Sequence, residues 1–185
     1  MPVLAFIGNS IMPQNLILAS TSRYRKALLE KLGLPFECAA PDVDEQPLAG
    51  ESAEALVARL ARAKADAVAQ HRDHGLIIGS DQVCVCNNHI LGKPGTIDNA
   101  IAQLMAAQGR SVTFYTGLCV LNAATNEIHQ LIEPFTVHFR DLDQSAIRRY
   151  VEAELPLDCA GSFKCEGMGI VLFKGLEGRD PNALI

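Results

Sequence analysis

The sequence has no surplus of positive charge: 16 Lys and Arg stand against 21 Asp and Glu in 185 residues, a formal net charge of −5. General nucleic-acid binders and proteins that ride on anionic membranes present a net basic surface, so neither class is expected here and any positive field has to be local. A long hydrophobic run is missing too. The opening "MPVLAFIGNSI" is apolar but lacks a basic n-region and a cleavage signature, and it is too short to span a bilayer. The default expectation is a cytoplasmic protein with a natural start at Met12, residues 1–11 being an extension. There is no internal repeat, linker or low-complexity tract, and 49% apolar residues with 20% charged ones can bury a sizeable core. One α/β domain with a mixed sheet over 12–185 is the economical expectation.

The cysteines lack the setting of a disulfide framework. Of six, most lie inside apolar strand-like runs such as "FECAA" and "GLCVL", which reads as buried free thiols in a reducing compartment. Cys84 and Cys86 with His89 hint at zinc, but two cysteines at period two share one strand face and a fourth ligand is missing.

What is present is a series of short strands and capped helices. Leu16 to Ser20 reads as a buried strand, and Ser22 can cap a helix running to a stop at Gly33. Phe36 to Ala40 is a second strand candidate, followed by the acidic, proline-flanked "PDVDEQP". Ser52 caps a long helix from Ala53 to about Gln70 with an apolar stripe at Leu56, Val57, Leu60, Ala67 and Val68. Then come "LIIGSDQVCVC", read as a buried strand ending at Asp81, a turn at Asn87 and Asn88, and a helix from Ile97 to about Gln108 capped by Thr96. Val112 to Leu121 and Ile128 to Phe139 form a hairpin, Asp143 caps a further helix, and glycines punctuate a strand in "CAGSFKCEGMGIVLF".

Chemistry concentrates first in "STSRYRK" at 20–26. A strand-to-helix junction exposes unpaired N–H groups at the positive end of a helix dipole, to which Ser20, Thr21 and Ser22 add hydroxyls. Arg25 can fork onto phosphate oxygens and Lys26 supplies a point charge, although a capped helix with solvated cations explains the same residues. Lys64 falls on the apolar stripe, where a lysine either snorkels out or points into a pocket. Asp81 follows an apolar run, as either a solvated loop residue or a group at a ligand-binding strand end. Lys93, in "GKP", is either a plain surface lysine or one held on a stiff turn. Together these residues describe cations for a polyphosphate and carboxylates, Glu45 and Asp81, for a hard divalent cation such as Mg²⁺ or Mn²⁺ and for activating water.

The ordered set Ser-x-Ser-x-x-Arg, Asp44-Glu45, "ARAKA" at 61–65, "SDQ" at 80–82, "GKP" at 92–94, "VTFYTG" at 112–117 and "AGSFKCEG" at 160–167 resembles the Maf family of nucleotide pyrophosphatases, over about Leu16 to Asp180. The resemblance implies an elongated, two-lobed α/β fold like that of inosine triphosphate pyrophosphatases. It also implies metal-dependent cleavage of nucleoside triphosphates between the α and β phosphates. On matching positions, Asp81 is the implied proton acceptor, Ser20, Ser22, Arg25, Lys64 and Lys93 the phosphate ligands, and Glu45 a metal or water ligand. The family's Arg-Arg pair is Arg25-Lys26 here, which keeps charge at Lys26 but loses a fork. Similar proteins also continue past "GRDPNALI" with a turn and a last helix, so a family helix is expected to be missing. A homodimer is a family expectation.

Tyr24, Gln82 and Glu166 resemble the 7-methyl-GTP branch of the family; the dTTP/UTP branch has arginine, threonine and glutamine at those positions. An N7-methylated guanine is cationic, so an aromatic ring stacked on it gains about 0.5–2 kcal/mol of cation–π energy. A carboxylate at Glu166 can accept both N1–H and N2–H of the base. Outside that context Tyr24 reads as a packed tyrosine and Glu166 as a solvated glutamate. A non-catalytic nucleotide-binding regulator of cell division remains the alternative from another class.

Overall fold

In the computed structural model of the chain, residues 15–185 are described; the expected extension and the start at Met12 lie outside them. Seven strands make one mixed sheet in the order β2-β1-β3-β5-β6-β7, with β4 paired to β3 off that path. The strands are β1 (Leu16–Ala19), β2 (Phe36–Ala39), β3 (Leu76–Cys86), β4 (His89–Leu91), β5 (Ser111–Asn122), β6 (Ile128–Phe139) and β7 (Phe173–Gly178). The helices are α1 (Arg23–Glu30), α2 (Ala53–Ala69), α3 (Ile97–Ala107) and α4 (Gln144–Glu154). Each starts at its expected cap: the side chains of Ser22, Ser52, Thr96 and Asp143 accept the N–H of Arg25, Ala55, Asn99 and Ala146.

The parallel part is small: β1 pairs with both β2 and β3 in parallel, and the remaining pairs are antiparallel. The buried apolar residues fall into three clusters, the smallest being Leu56, Val57, Leu60 and Val83 where α2 meets β3. Along the first half of β3, Ile77 packs with Ile17, Ala19, Ala61, Ala65, Val68, Cys119 and Leu121 under α2. Along its second half, Cys84 and Cys86 point to the opposite face and pack among residues of α3 and α4 with Phe114, Phe163, Phe139 and Phe173. The four phenylalanines meet edge to face, with centroids 4.8–5.7 Å apart. Burial raises the Cys84 thiol well above its ordinary range.

Two expectations need correction. The strand containing Asp81 does not end there: it runs on to Cys86, because β5 pairs with it continuously from Leu76 to Val85 and carries it past the end of β1. The segment "CAGSFKCEGMGIVLF" is not a strand but two short 3-10 turns, Ala160–Ser162 and Met168–Leu172, with β7 beginning at Phe173. Its glycines serve turns: Gly161 has φ 74°, and a Cβ there would sit 2.9 Å from Cys84 Sγ and 3.0 Å from Phe114 Cζ.

The close seat of α2 on the sheet rests on two other glycines. A Cβ on Gly79 would lie 2.1 Å from the Ala61 carbonyl oxygen, and one on Gly117 would lie 2.2 Å from that of Val57. The obstacles are helix backbone, which cannot swing aside as a side chain does. Gly79→Ala is expected to lift α2 from the sheet and cost about 1–3 kcal/mol, read as a lower urea midpoint; an unchanged midpoint would mean that α2 yields freely.

Candidate active site

β1 ends at Ala19, opposite Gly79 of β3, and β4 pairs with β3 only from Cys84 onward. Residues 80–83 therefore have a free edge on that side, and a cleft of about 840 Å³ opens over it. Its lining comes from sequence-distant pieces: the β1–α1 junction at 20–25, Glu45 of the acidic loop, Lys64 of α2, Asp81 and Gln82 of β3, Lys93, and Asp158, Cys159, Ala160, Phe163 and Glu166 after α4.

Strand alternation places the central carboxylate. Gly79, Asp81 and Val83 share the face of β3 covered by α2, since Gly79 abuts Ala61 and Val83 packs with Leu56 and Leu60. On α2 the corresponding stripe is Leu60, Ala61, Lys64 and Ala65, all buried. Lys64 is only 5% exposed and does not snorkel. Its Nζ donates to Asp81 Oδ1 at 2.7 Å and pairs with Glu45 Oε1 at 2.7 Å. Hydrogen bonding to Lys64 holds the Glu45 carboxyl below its ordinary range, helped by the charges of Lys93 and Arg25. The two carboxylates on one ammonium are a hard-oxygen donor pair. No cluster of three or more metal-capable side chains occurs among the described residues, so a cation here would need phosphate or water oxygens to complete its shell.

Cations and hydroxyls face this pair. Ser20 is buried, and its Oγ accepts the N–H of Ser22, while Ser22 Oγ caps α1. Arg25 is only part-covered, yet burial lowers its pKa, opposed by the charges of Asp81 and Glu45. Among the described residues neither Arg25 nor Lys93 has an ion-pair partner, and both line the cleft. Unpaired cations beside a helix N-terminus make an anion-receiving wall. Lys26 is not part of it: it is exposed, outside the lining, and 3.8 Å from Glu30 one turn along α1.

The three expected selectivity residues also reach the cleft, in different ways. Tyr24 lies at its rim, where its hydroxyl meets Asp158 and Arg23, and burial pushes its pKa up to about 12. Glu166 is exposed on the lining. Gln82 leaves the face of β3 opposite Asp81, and its Nε2 donates to Thr116 Oγ1 at 2.9 Å and to the Ala183 carbonyl at 2.6 Å. Thr116 donates to the same carbonyl at 2.9 Å, so the pair holds the turn Pro181–Leu184 against the cleft. Arg23, Asp158, Cys159 and Thr116 were not singled out from the sequence. For Asp158 and Cys159 no local pattern could have done so, since their partner Tyr24 lies 134 and 135 positions away.

The Maf-like protein family model matches residues 15–184. The chain is 59% identical over 171 residues to a protein of Pseudomonas aeruginosa named 7-methyl-GTP pyrophosphatase, covering 92% of this chain and 89% of the relative. A protein of the same name from Colwellia psychrerythraea is 56% identical over 172 residues, covering 93% and 86%. Among solved structures, the Staphylococcus aureus Ham1 protein matches with a TM-score of 0.51 at 13% identity, over 84% of this chain and 90% of that one, a likeness of fold.

The Lys64 arrangement has a measurable consequence for stability. Lys64→Met leaves Asp81 as a nearly buried charge without its partner, at an expected cost of about 3–5 kcal/mol at pH 7. Adding Asp81→Asn should recover part of that loss in urea unfolding. The Glu45 contribution is smaller because that side chain is 61% exposed. Its folded pKa is depressed below 4.5, so its share is present above pH 4.5 and disappears as pH falls through the depressed value. Full additivity of Lys64→Met and Asp81→Asn would contradict this pairing.

Proposed function

The chain belongs to the Maf family, and on that footing we propose that it is a hydrolase that cleaves 7-methyl-GTP to 7-methyl-GMP and pyrophosphate. The observation that carries this reading is that Tyr24 and Glu166 line the same cleft as the Lys64–Asp81 pair, so base choice and chemistry fit one bound nucleotide. The names of the two bacterial relatives support it.

In the proposed mechanism the triphosphate lies against the α1 N-terminus, with Ser20 and Ser22 contributing hydroxyls and Arg25, Lys64 and Lys93 neutralising its charge. Asp81 Oδ1 is fixed by Lys64, and Oδ2 has no hydrogen-bond donor among the described residues. Oδ2 accepts the proton of the water that attacks the α phosphorus; the bond to the bridging oxygen breaks and pyrophosphate leaves. Glu45 and Asp81 would hold a divalent cation, which would supply charge compensation and a more acidic water. Holding the leaving pyrophosphate is the remaining task of Arg25 and Lys93. The proposed physiological role is removal of a modified nucleotide before it is incorporated, in the cytoplasm.

A panel of 7-methyl-GTP, GTP, dTTP and UTP with Mg²⁺ or Mn²⁺ tests the substrate. Fastest pyrophosphate release from 7-methyl-GTP is expected; preference for dTTP or UTP would move the chain to the other branch. Asp81→Ala should lower that release by about 100-fold or more while nucleotide binding persists, and an unchanged rate removes Asp81 from the mechanism. Tyr24→Arg should weaken 7-methyl-GTP cleavage more than GTP cleavage, because a second cation repels the methylated base. Equal loss on both substrates reduces Tyr24 to packing.

A further inference from the structure

The rim of the cleft carries a cluster around Tyr24 whose other members, Arg23, Asp158 and Cys159, the reaction as described leaves unused. Tyr24 Oη donates to Asp158, with Oδ1 at 3.1 Å and Oδ2 at 3.2 Å. Arg23 Nη2 donates to Tyr24 Oη at 2.7 Å and to Asp158 Oδ2 at 3.1 Å, and its Cζ lies 4.8 Å from the centre of the Tyr24 ring. Cys159 Sγ is 3.6 Å from the same hydroxyl. These contacts tie α1 to the loop that follows α4, two elements separated by most of the chain that both line the cleft.

We propose that Asp158 is a positioning residue of the base site. Its carboxylate holds the Tyr24 ring in one orientation, so that a cationic purine stacks on a fixed platform. A phenol on a helix surface has two torsions to lose on stacking, and a ring already held by its hydroxyl has less to lose when the base arrives. The loop can act as an anchor because it is itself fixed: α4 ends at Leu155 in the left-handed conformation, Pro156 is fully buried, and Gly161 is wedged between Cys84 and Phe114. Charge supports the same role. Among the charged groups that line the cleft, Arg25, Lys64 and Lys93 stand with the carboxylates Glu45 and Asp81, both paired to Lys64, while Tyr24 contacts the carboxylate Asp158. The guanidinium of Arg23 lies over the Tyr24 ring, so the ring already accepts a cation.

This inference deepens the proposed substrate reading and rests on it. The test is a double-mutant cycle of Tyr24→Phe, which removes only the hydroxyl, and Asp158→Ala, followed by steady-state kinetics on 7-methyl-GTP. Each single change is expected to raise KM about five- to tenfold, with the effect falling on KM rather than kcat. The double variant should be no worse than the poorer single one, because one hydrogen bond is lost once. An unchanged KM in Asp158→Ala, or losses that multiply in the double variant, overturns the positioning role. If the wild-type protein instead turns over another nucleotide, the substrate reading fails separately, and coupling between the two changes on that nucleotide's KM still decides whether Asp158 acts through Tyr24.

Discussion

A lysine ammonium that is 5% exposed on the apolar face of a helix needs anionic partners close by, and the architecture around Lys64 follows from supplying them. Asp81 can reach it only if α2 lies nearly in backbone contact with β3, and that contact exists because Gly79 and Gly117 have no side chain to hold the helix off. The apolar residues around the pair, Leu56, Leu60, Ala61 and Ala65, exclude water from one side and leave the other open to the cleft. A charge pair placed this way is weak evidence for stability. Its value is that it fixes an oxygen and a nitrogen at defined points on a cleft wall before any ligand is present.

The second constraint is the mismatch of strand lengths. β3 spans Leu76 to Cys86, but its neighbour on one side is β1 as far as Gly79 and β4 from Cys84. The unpaired edge between them opens onto the cleft, which Asp81, Gln82 and Val83 line. Alternation along residues 80–83 then divides the labour. Asp81 faces α2 and the ammonium, while Gln82 faces away and secures the Pro181–Leu184 turn through Thr116. The selectivity at Gln82 that the family resemblance implies is thus joined in the structure to the placement of a backbone turn.

Features with a local cause were legible in the sequence. The four caps are single residues acting on the next turn, and the α2 stripe with Lys64 on it is a periodicity, so both were visible. The length of β3 was not, because "LIIGSDQ" carries no stop or continue signal of its own; pairing with β5 carries the strand past Asp81. The Ala160 to Leu172 stretch failed as a strand because Phe163 and Leu172 feed a phenylalanine cluster through turns instead of a ladder, while Met168, Ile170 and Val171 stay exposed. Lys26 was grouped with Arg25 by adjacency and by the family's Arg-Arg pair, whereas on a helix consecutive residues point about 100° apart, and only Arg25 reaches the cleft. Asp158 was invisible for the complementary reason: its partner is brought to it by the fold.

The anion-receiving end of the cleft cannot tell one nucleotide from another, since every nucleoside triphosphate has the same tail. Discrimination has to arise where the bases differ, and there it depends on groups that are already fixed, because ordering a mobile side chain on binding subtracts from the difference in affinity between two bases. On this chain the tyrosine proposed to face the base is tied to a carboxylate whose loop is buried at Pro156 and wedged at Gly161. The same packing that holds Gly161 between Cys84 and Phe114 therefore bears on the placement of Asp158 and, through it, of Tyr24.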